Sequence, residues 1–169
     1  TEQDIQQYLK DILEDEEIQK YSYQMVEDYV LLRELNIELK GIYYDLAIAG
    51  YDVNPTMNNH TIEKIANQFL EINIEQYISK YEVIPEKNTQ INLFQAEETD
   101  DNEKYIQAFH TYLISKLYTI TIQKLAEMNS EDLFHHIEMP LITVLGDMQV
   151  NGMHVDKEEL VEIGRELKE

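Results

Sequence analysis

The chain has 169 residues, 43% of them hydrophobic, no cysteine, and a net charge of −21 from 13 basic and 34 acidic side chains. That is enough polypeptide for one domain with a real core; it excludes disulfides and thiolate metal sites, as expected in a reducing cytoplasm. No apolar run reaches the roughly 20 residues of a membrane span, the acidic and polar first residues lead us to expect no signal peptide, and no Lys/Arg run offers phosphates a basic stripe, so the chain alone should bind DNA weakly or not at all.

Residues 4–18 have the spacing of an amphipathic helix, with Ile5, Tyr8, Leu9, Ile12 and Leu13 on one face. Residues 20–25 alternate and predict a short strand carrying Tyr21, Tyr23 and Met25 on one side. A helix follows Asp28 over 29–34, then a second strand over 39–44. Asp45 opens a short helix toward Tyr51, and Asn54-Pro55 ends the unit. Residues 62–70 are helical, burying Ile62, Ile65, Ala66 and Phe69, and a weaker helix covers 75–80. The strand–helix–strand–helix order predicts a small parallel βαβ unit. Two strands make no independently stable parallel sheet. Either helices cover this one completely or further strands belong to it.

Residues 82–103 lack periodicity, contain Pro85, Asn88 and Asn92, and carry the acidic run Glu97-Glu98-Thr99-Asp100-Asp101; they read as a long loop. Residues 103–128 predict one long helix with Ile106, Phe109, Leu113, Leu117 and Ile120 as its buried stripe, and Ile114 and Leu125 beside it. Asn129-Ser130 breaks it, and Ser130 should cap the next helix. That helix has its apolar stripe at Leu133, Phe134, Ile137, Leu141, Val144, Leu145 and Met148, with Pro140 inside, where it should bend the axis. After the Asn151-Gly152 turn, Asp156 caps a last helix, with Glu159 as its capping-box partner.

Glu138, Pro140 and Leu141, then Val144-Leu145, then Met148, Gly152, Val155 and Asp156 combine an interior proline, a Gly-x-x-Val-Asp turn and a capped helix. This combination resembles the start of the polymerase region in family A DNA polymerases, the bacterial DNA polymerase I group. Lys20, Asp28, Ile37-Glu38-Leu39, Gly41 and Tyr44-Asp45 resemble the later half of that family's proofreading 3′–5′ exonuclease domain, which has a ribonuclease-H-like fold. The resemblance implies a mainly helical chain with a small α/β remnant. Residues 1–129 would be a truncated, vestigial exonuclease-like domain holding the 82–103 loop. Residues 130–169 would be the junction and the first helices of the polymerase thumb. In the family the first strands lie earlier and carry an Asp-x-Glu pair. Nothing before Tyr21 reads as a strand, so the chain reads as a piece of a longer bacterial DNA polymerase. That parent would use Mg²⁺ in its polymerase domain and contact DNA there.

Phosphodiester hydrolysis in this family uses two metal ions about 4 Å apart. Hard cations need several carboxylate oxygens converging from different elements. The resemblance implies four carboxylates and a tyrosine that orients water. The upstream pair is absent here. Asp28 matches the third, in an Asn-x-x-x-Asp motif that reads Gln24-Met25-Val26-Glu27-Asp28. The fourth belongs to a Tyr-x-x-x-Asp motif, which falls on Tyr105-Ile106-Gln107-Ala108-Phe109 when counted back from Glu138. The tyrosine is kept; Phe109 replaces the carboxylate, and an aromatic ring cannot ligate Mg²⁺. Asp28, Tyr105 and Phe109 are therefore read as vestigial positions. The chain itself is expected to catalyse nothing and to hold no cofactor, and Asp28 becomes an ordinary carboxylate at a helix N-terminus.

His110, His135, His136 and His154, with Glu138, are zinc-ligand types. Adjacent histidines point to different helix faces, however, and no His-x-x-x-His pair occurs. They read as solvent-facing or capping. Gln90-Ile91-Asn92-Leu93-Phe94 resembles the peptide by which bacterial polymerases and repair proteins attach to the sliding clamp. An extended peptide would insert Leu93 and Phe94 into an apolar cleft with Gln90 at its rim; the plain alternative is that the pair pins its loop to the domain. The expected role is structural support of DNA synthesis. An exonuclease module completed by upstream residues and a free-standing acidic helical interaction protein are the alternatives.

Overall fold

The computed structural model describes residues 4–71, 73–78, 93–152 and 154–167, with side chains except at 5, 6, 75 and 93–101. A π-helical turn (Ile5–Leu9) runs into α1 (Lys10–Glu14). Then come β1 (Lys20–Ser22), α2 (Met25–Glu34), β2 (Ile42–Asp45), α3 (Leu46–Val53), α4 (Ile62–Leu70), α5 (Glu75–Ile78) and the long α6 (Leu93–Glu127). A short α7 (Glu131–Leu133), a π-helical turn (Phe134–Glu138) and α8 (Met139–Asn151) form one continuous rod, and α9 (Lys157–Glu166) follows.

The two strands pair in parallel, with Tyr21 opposite Tyr44 and Ser22 opposite Asp45, and α2 is the crossover. The described chain is thus mostly helical around a small two-strand sheet, consistent with a ribonuclease-H-like remnant. One core runs through it. Tyr44 and Leu46 from the sheet end meet Ile65 and Ala66 of α4, Leu113, Leu117 and Leu125 of α6, and Phe134 and Ile142 of the last rod. The Leu, Ile and Phe side chains among them each contribute about 1.5–3 kcal/mol on leaving water. Among the described side chains of α6, Thr121 is the one polar residue buried here. Its hydroxyl donates to the Leu117 carbonyl at 2.9 Å, so its oxygen is left to accept from the Tyr44 hydroxyl at 2.7 Å.

Several expectations are corrected. The first helix stops at Glu14, not at residue 18, and Tyr8, Leu9 and Ile12 of its expected buried face are exposed; among the described side chains of that face, Leu13 alone packs toward the core. Met25 opens α2 rather than extending β1, because the Asp45 carboxylate takes its N–H. Gly41 delays β2 to Ile42. Its φ of +64° suits glycine, and a Cβ there would lie 2.3 Å from the Ile18 carbonyl oxygen. The 82–103 loop is shortened, since α6 already begins at Leu93. Gln95, Ala96, Glu97, Glu98 and Glu103 are good helix formers, and extending a helix already anchored by packing costs far less than nucleating one. Thr121, not Ile120, continues the buried stripe of α6. The Ser130 side chain makes no capping bond.

The largest correction concerns α8. Its buried positions are Met139, Ile142 and Gly146, whereas Ile137, Leu141, Val144, Leu145 and Met148 face outward. The helix is apolar on two faces, and periodicity does not choose between them. Pro140 is absorbed without a break. It sits at the start of α8, directly after the π-helical turn, where the Met139 N–H already bonds five residues back to the Phe134 carbonyl. Among the described residues no helix is long and apolar enough to cross a membrane.

Asp52, near the end of α3, is half-buried, and its Oδ2 has no hydrogen-bond partner. Burial, and then the charge of Glu138, push its carboxyl up to about 6. A raised carboxyl favours the folded state when protonated. Its contribution is complete below about pH 4 and is lost as pH rises through 6. Asp52→Asn should therefore match the parent near pH 4 and exceed it at pH 8 by about 1 kcal/mol, after discounting for solvent screening. Thermal unfolding of both proteins across that range checks this; a variant less stable at pH 8 would sink it.

Candidate functional site

An open cleft of about 950 Å³ lies between the end of β1, the N-termini of α2 and α4, and the middle of α6. Gln24 shapes its floor. It adopts a left-handed conformation (φ 61°, ψ 51°), which turns the chain sharply from the strand into α2. Asparagine fits that conformation better than glutamine does. The turn sets Glu27 and Asp28 in the first turn of α2, where the helix dipole favours negative charge. Asp28 Oδ2 accepts a hydrogen bond from the Ser22 hydroxyl.

Across the cleft, Thr61 caps α4 through the Lys64 N–H, which brings Glu63 into its first turn. Glu63 Oε1 lies 2.9 Å from His110 Nε2 of α6, a close approach without hydrogen-bond alignment. Tyr118 forms the inner wall, edge-on to Tyr21 at 4.9 Å and to Tyr44 at 5.1 Å. The field inside is negative. Glu27, Asp28 and Glu63 line the cleft, and its described lining includes no Lys or Arg. The Tyr23 phenol reports that field: burial raises its pKa first, and the charges of Glu63, Asp45 and Glu27 raise it further. A bare phosphodiester would be repelled from such a recess.

Of the positions carried over by resemblance, only Asp28 lies in this cleft. The face of α6 bordering it presents Gln107, His110, Thr111, Ile114, Ser115 and Tyr118, with no carboxylate among them. Phe109 lies on a neighbouring face, packs against the core and stacks on Tyr112 at 6.4 Å. Tyr105, four residues earlier on the same face as Phe109, is 63% exposed. Among the described residues no group of three or more His, Asp or Glu side chains is placed to hold a metal ion. With Asp28 bonded to Ser22 and Glu63 facing His110, these side chains do not fit a two-metal site.

Sequence reading treated His110 as a solvent-facing residue and missed its place in the cleft. Its spacing from Gln107, Ile114 and Tyr118 was the available signal. His136 lies 3.4 Å from Asp132 on an exposed face, whereas His135 is part-buried between the Tyr43 ring at 5.6 Å and the Phe134 ring at 5.0 Å. The clamp-like peptide falls mostly outside the described residues. Gln90 is beyond them, and of Leu93 and Phe94 only the backbone, in the first turn of α6, is described.

Residues 1–83 match the family model for the DNA polymerase I ribonuclease H-like domain. The DNA polymerase I of Bacillus subtilis is 28% identical over 159 residues, covering 94% of this chain and 17% of that protein. The DNA polymerase I of Streptococcus pneumoniae is 27% identical over 163 residues, 93% of this chain and 17% of that protein. The DNA polymerase I of Borreliella burgdorferi is 32% identical over 140 residues, 79% of this chain and 14% of that protein. The chain thus spans about one sixth of the length of the relatives it matches.

Proposed function

The chain matches the DNA polymerase I family across the ribonuclease-H-like exonuclease region of larger relatives, and on that premise we propose that it is a degenerate proofreading region with a structural role. It supports template-directed DNA synthesis by the polypeptide it serves, in the cytoplasm. The observation that carries this reading is the α6 face beside Asp28, which offers Gln107, His110 and Thr111 where metal-dependent hydrolysis needs a carboxylate. The cleft adds to it, since its described lining sets Glu27, Asp28 and Glu63 toward a single-stranded 3′ end with no Lys or Arg side chain to pair its phosphates. Residues 130–169 lead into the polymerase, and nucleotide addition with Mg²⁺ belongs to that part.

The protein from the complete reading frame should extend a primed template with deoxynucleotides and Mg²⁺, yet leave a mismatched 3′ terminus uncut. Phe109→Asp should not create excision, because that position does not line the cleft. Excision by the unmodified protein would overturn the degenerate reading; absence of extension would overturn the polymerase reading. Gln90, Leu93 and Phe94 are proposed as a sliding-clamp contact. Binding would require the first turn of α6 to open, because clamp peptides of this kind bind extended. In the same preparation, Leu93→Ala with Phe94→Ala should abolish capture by immobilised clamp, and undiminished capture would remove the contact.

A further inference from the structure

Helices α4 and α6 pack on each other, with Ile65, Ala66, Leu113 and Leu117 in their shared core, and the two ends of that contact are closed differently. At one end Lys124 Nζ lies 5.5 Å from the centre of the Phe69 ring, a cation–aromatic contact. At the other, beside the cleft, Glu63 Oε1 of α4 stands 2.9 Å from His110 Nε2 of α6. The two side chains are only 26% and 21% exposed. The His110 Nε2 atom is buried, and it makes no hydrogen bond to any described residue.

The protonation state of the ring decides what that approach is worth. A neutral imidazole has a single N–H and offers Glu63 at best an uncharged donor. An imidazolium carries N–H on both nitrogens, so a small turn of the ring makes a charge-assisted hydrogen bond, strengthened by the partial exclusion of water. The surroundings favour the proton. From α2 the cleft presents Glu27 and Asp28, and from the turn before it the Tyr23 phenol. On α6 itself the neighbours one turn away are Gln107, Thr111 and Ile114, none of them charged. The described lining includes no Lys or Arg, and Lys64, next to Glu63 on α4, is exposed and outside it. Histidine is the side chain whose charge ordinarily changes between pH 5 and 8.

We propose that His110 and Glu63 form a proton-operated latch that draws α4 against α6 and tightens the cleft between them on acidification. The bond belongs to the charged ring, so its contribution is present at low pH and is lost as pH rises through the histidine range. The hydrophobic packing of the two helices and the Lys124–Phe69 contact hold the pair together in either state, so the latch changes how often the cleft end opens, not whether the domain folds.

The test is amide hydrogen exchange of α4, followed by mass spectrometry in the protein from the complete reading frame, for the parent, His110→Gln, Glu63→Gln and Glu27→Gln. Protection factors are compared, because the chemical exchange rate itself varies with pH. Between about pH 8 and about pH 5.5 the protection of α4 should rise about threefold or more in the parent. It should rise less than about twofold in His110→Gln and in Glu63→Gln. Glu27→Gln should keep most of the parent's rise, because Glu27 faces the cleft without touching the latch. A parent whose α4 protection does not change with pH overturns the proposal, and that measurement needs no substitution to fold. A rise that survives in either latch variant overturns it too. A rise abolished by Glu27→Gln as fully as by Glu63→Gln would assign the effect to the negative field of the cleft as a whole, and the latch would be discarded.

Discussion

Gly146→Ala should lower the stability of this protein by about 2 kcal/mol, even though alanine is the better helix former by roughly 1 kcal/mol. The sign of the effect is decided by α2. A Cβ at position 146 would lie 2.2 Å from Tyr29 Cδ1 and 2.8 Å from Cε1. That ring is no loose chain end: Tyr29 is buried between the two helices, and its hydroxyl is tied to Asp147. Moving it costs about 1–3 kcal/mol of overpacking and loses a hydrogen bond of about 1 kcal/mol. Set against the gain in propensity, a net loss remains, which at this chain length lowers the thermal midpoint by about 4–8 °C. Differential scanning calorimetry reads it directly. A rise in midpoint would mean that the helices have room to spare and that Gly146 is not the reason they approach so closely.

Asp45→Ala should be costlier. The Asp45 carboxylate is buried and serves two helices at once. Oδ1 caps α3 by accepting from the Ile48 N–H at 3.0 Å, and Oδ2 accepts from the Met25 N–H at the start of α2. Alanine removes a cap worth about 1 kcal/mol and strands a buried N–H at a cost of about 1–3 kcal/mol. The sum, about 2–4 kcal/mol, lowers the midpoint by about 5–15 °C. Burial raises the pKa of this carboxyl, while the N–H groups of Met25, Ile48 and Ala47 oppose that rise. Asp45→Asn separates the two roles: its amide can still accept for one helix but presents N–H to the other, so an intermediate loss is expected. Equal losses for alanine and asparagine would show that charge, not the pair of acceptors, holds the site.

Much of the architecture was legible in the chain itself, for physical reasons that are local. Alternation from Tyr21 marked a strand, though it ends at Ser22 rather than Met25; the 3.6-residue spacing of Ile62, Ile65, Ala66 and Phe69 marked a helix face turned to the core, and the parallel pairing followed from the intervening α2. Asp156 caps α9 as expected, accepting from the Glu158 and Glu159 N–H groups at 2.9 and 3.2 Å. Of the cleft, Asp28 was foreseen and His110 was not. A histidine on a long helix has no local sign of which neighbour it will face.

What the sequence determined by itself is the set of elements, their order and the family motif, because periodicity, capping residues and turn residues act over a few positions. What only the tertiary structure decided is which face each helix buries and what each cleft gathers. α8 carries two apolar faces, and the Tyr29 ring against Gly146 selects Met139 and Ile142 for the core, leaving Leu141 and Leu145 outside. Met25 joins a helix because a carboxylate twenty residues away binds its N–H. Phe109 turns from the cleft because Leu113 and Leu117, on the buried side of α6, fix that helix about its axis. Each of these choices rests on contacts between residues distant in the chain, which local propensity does not encode.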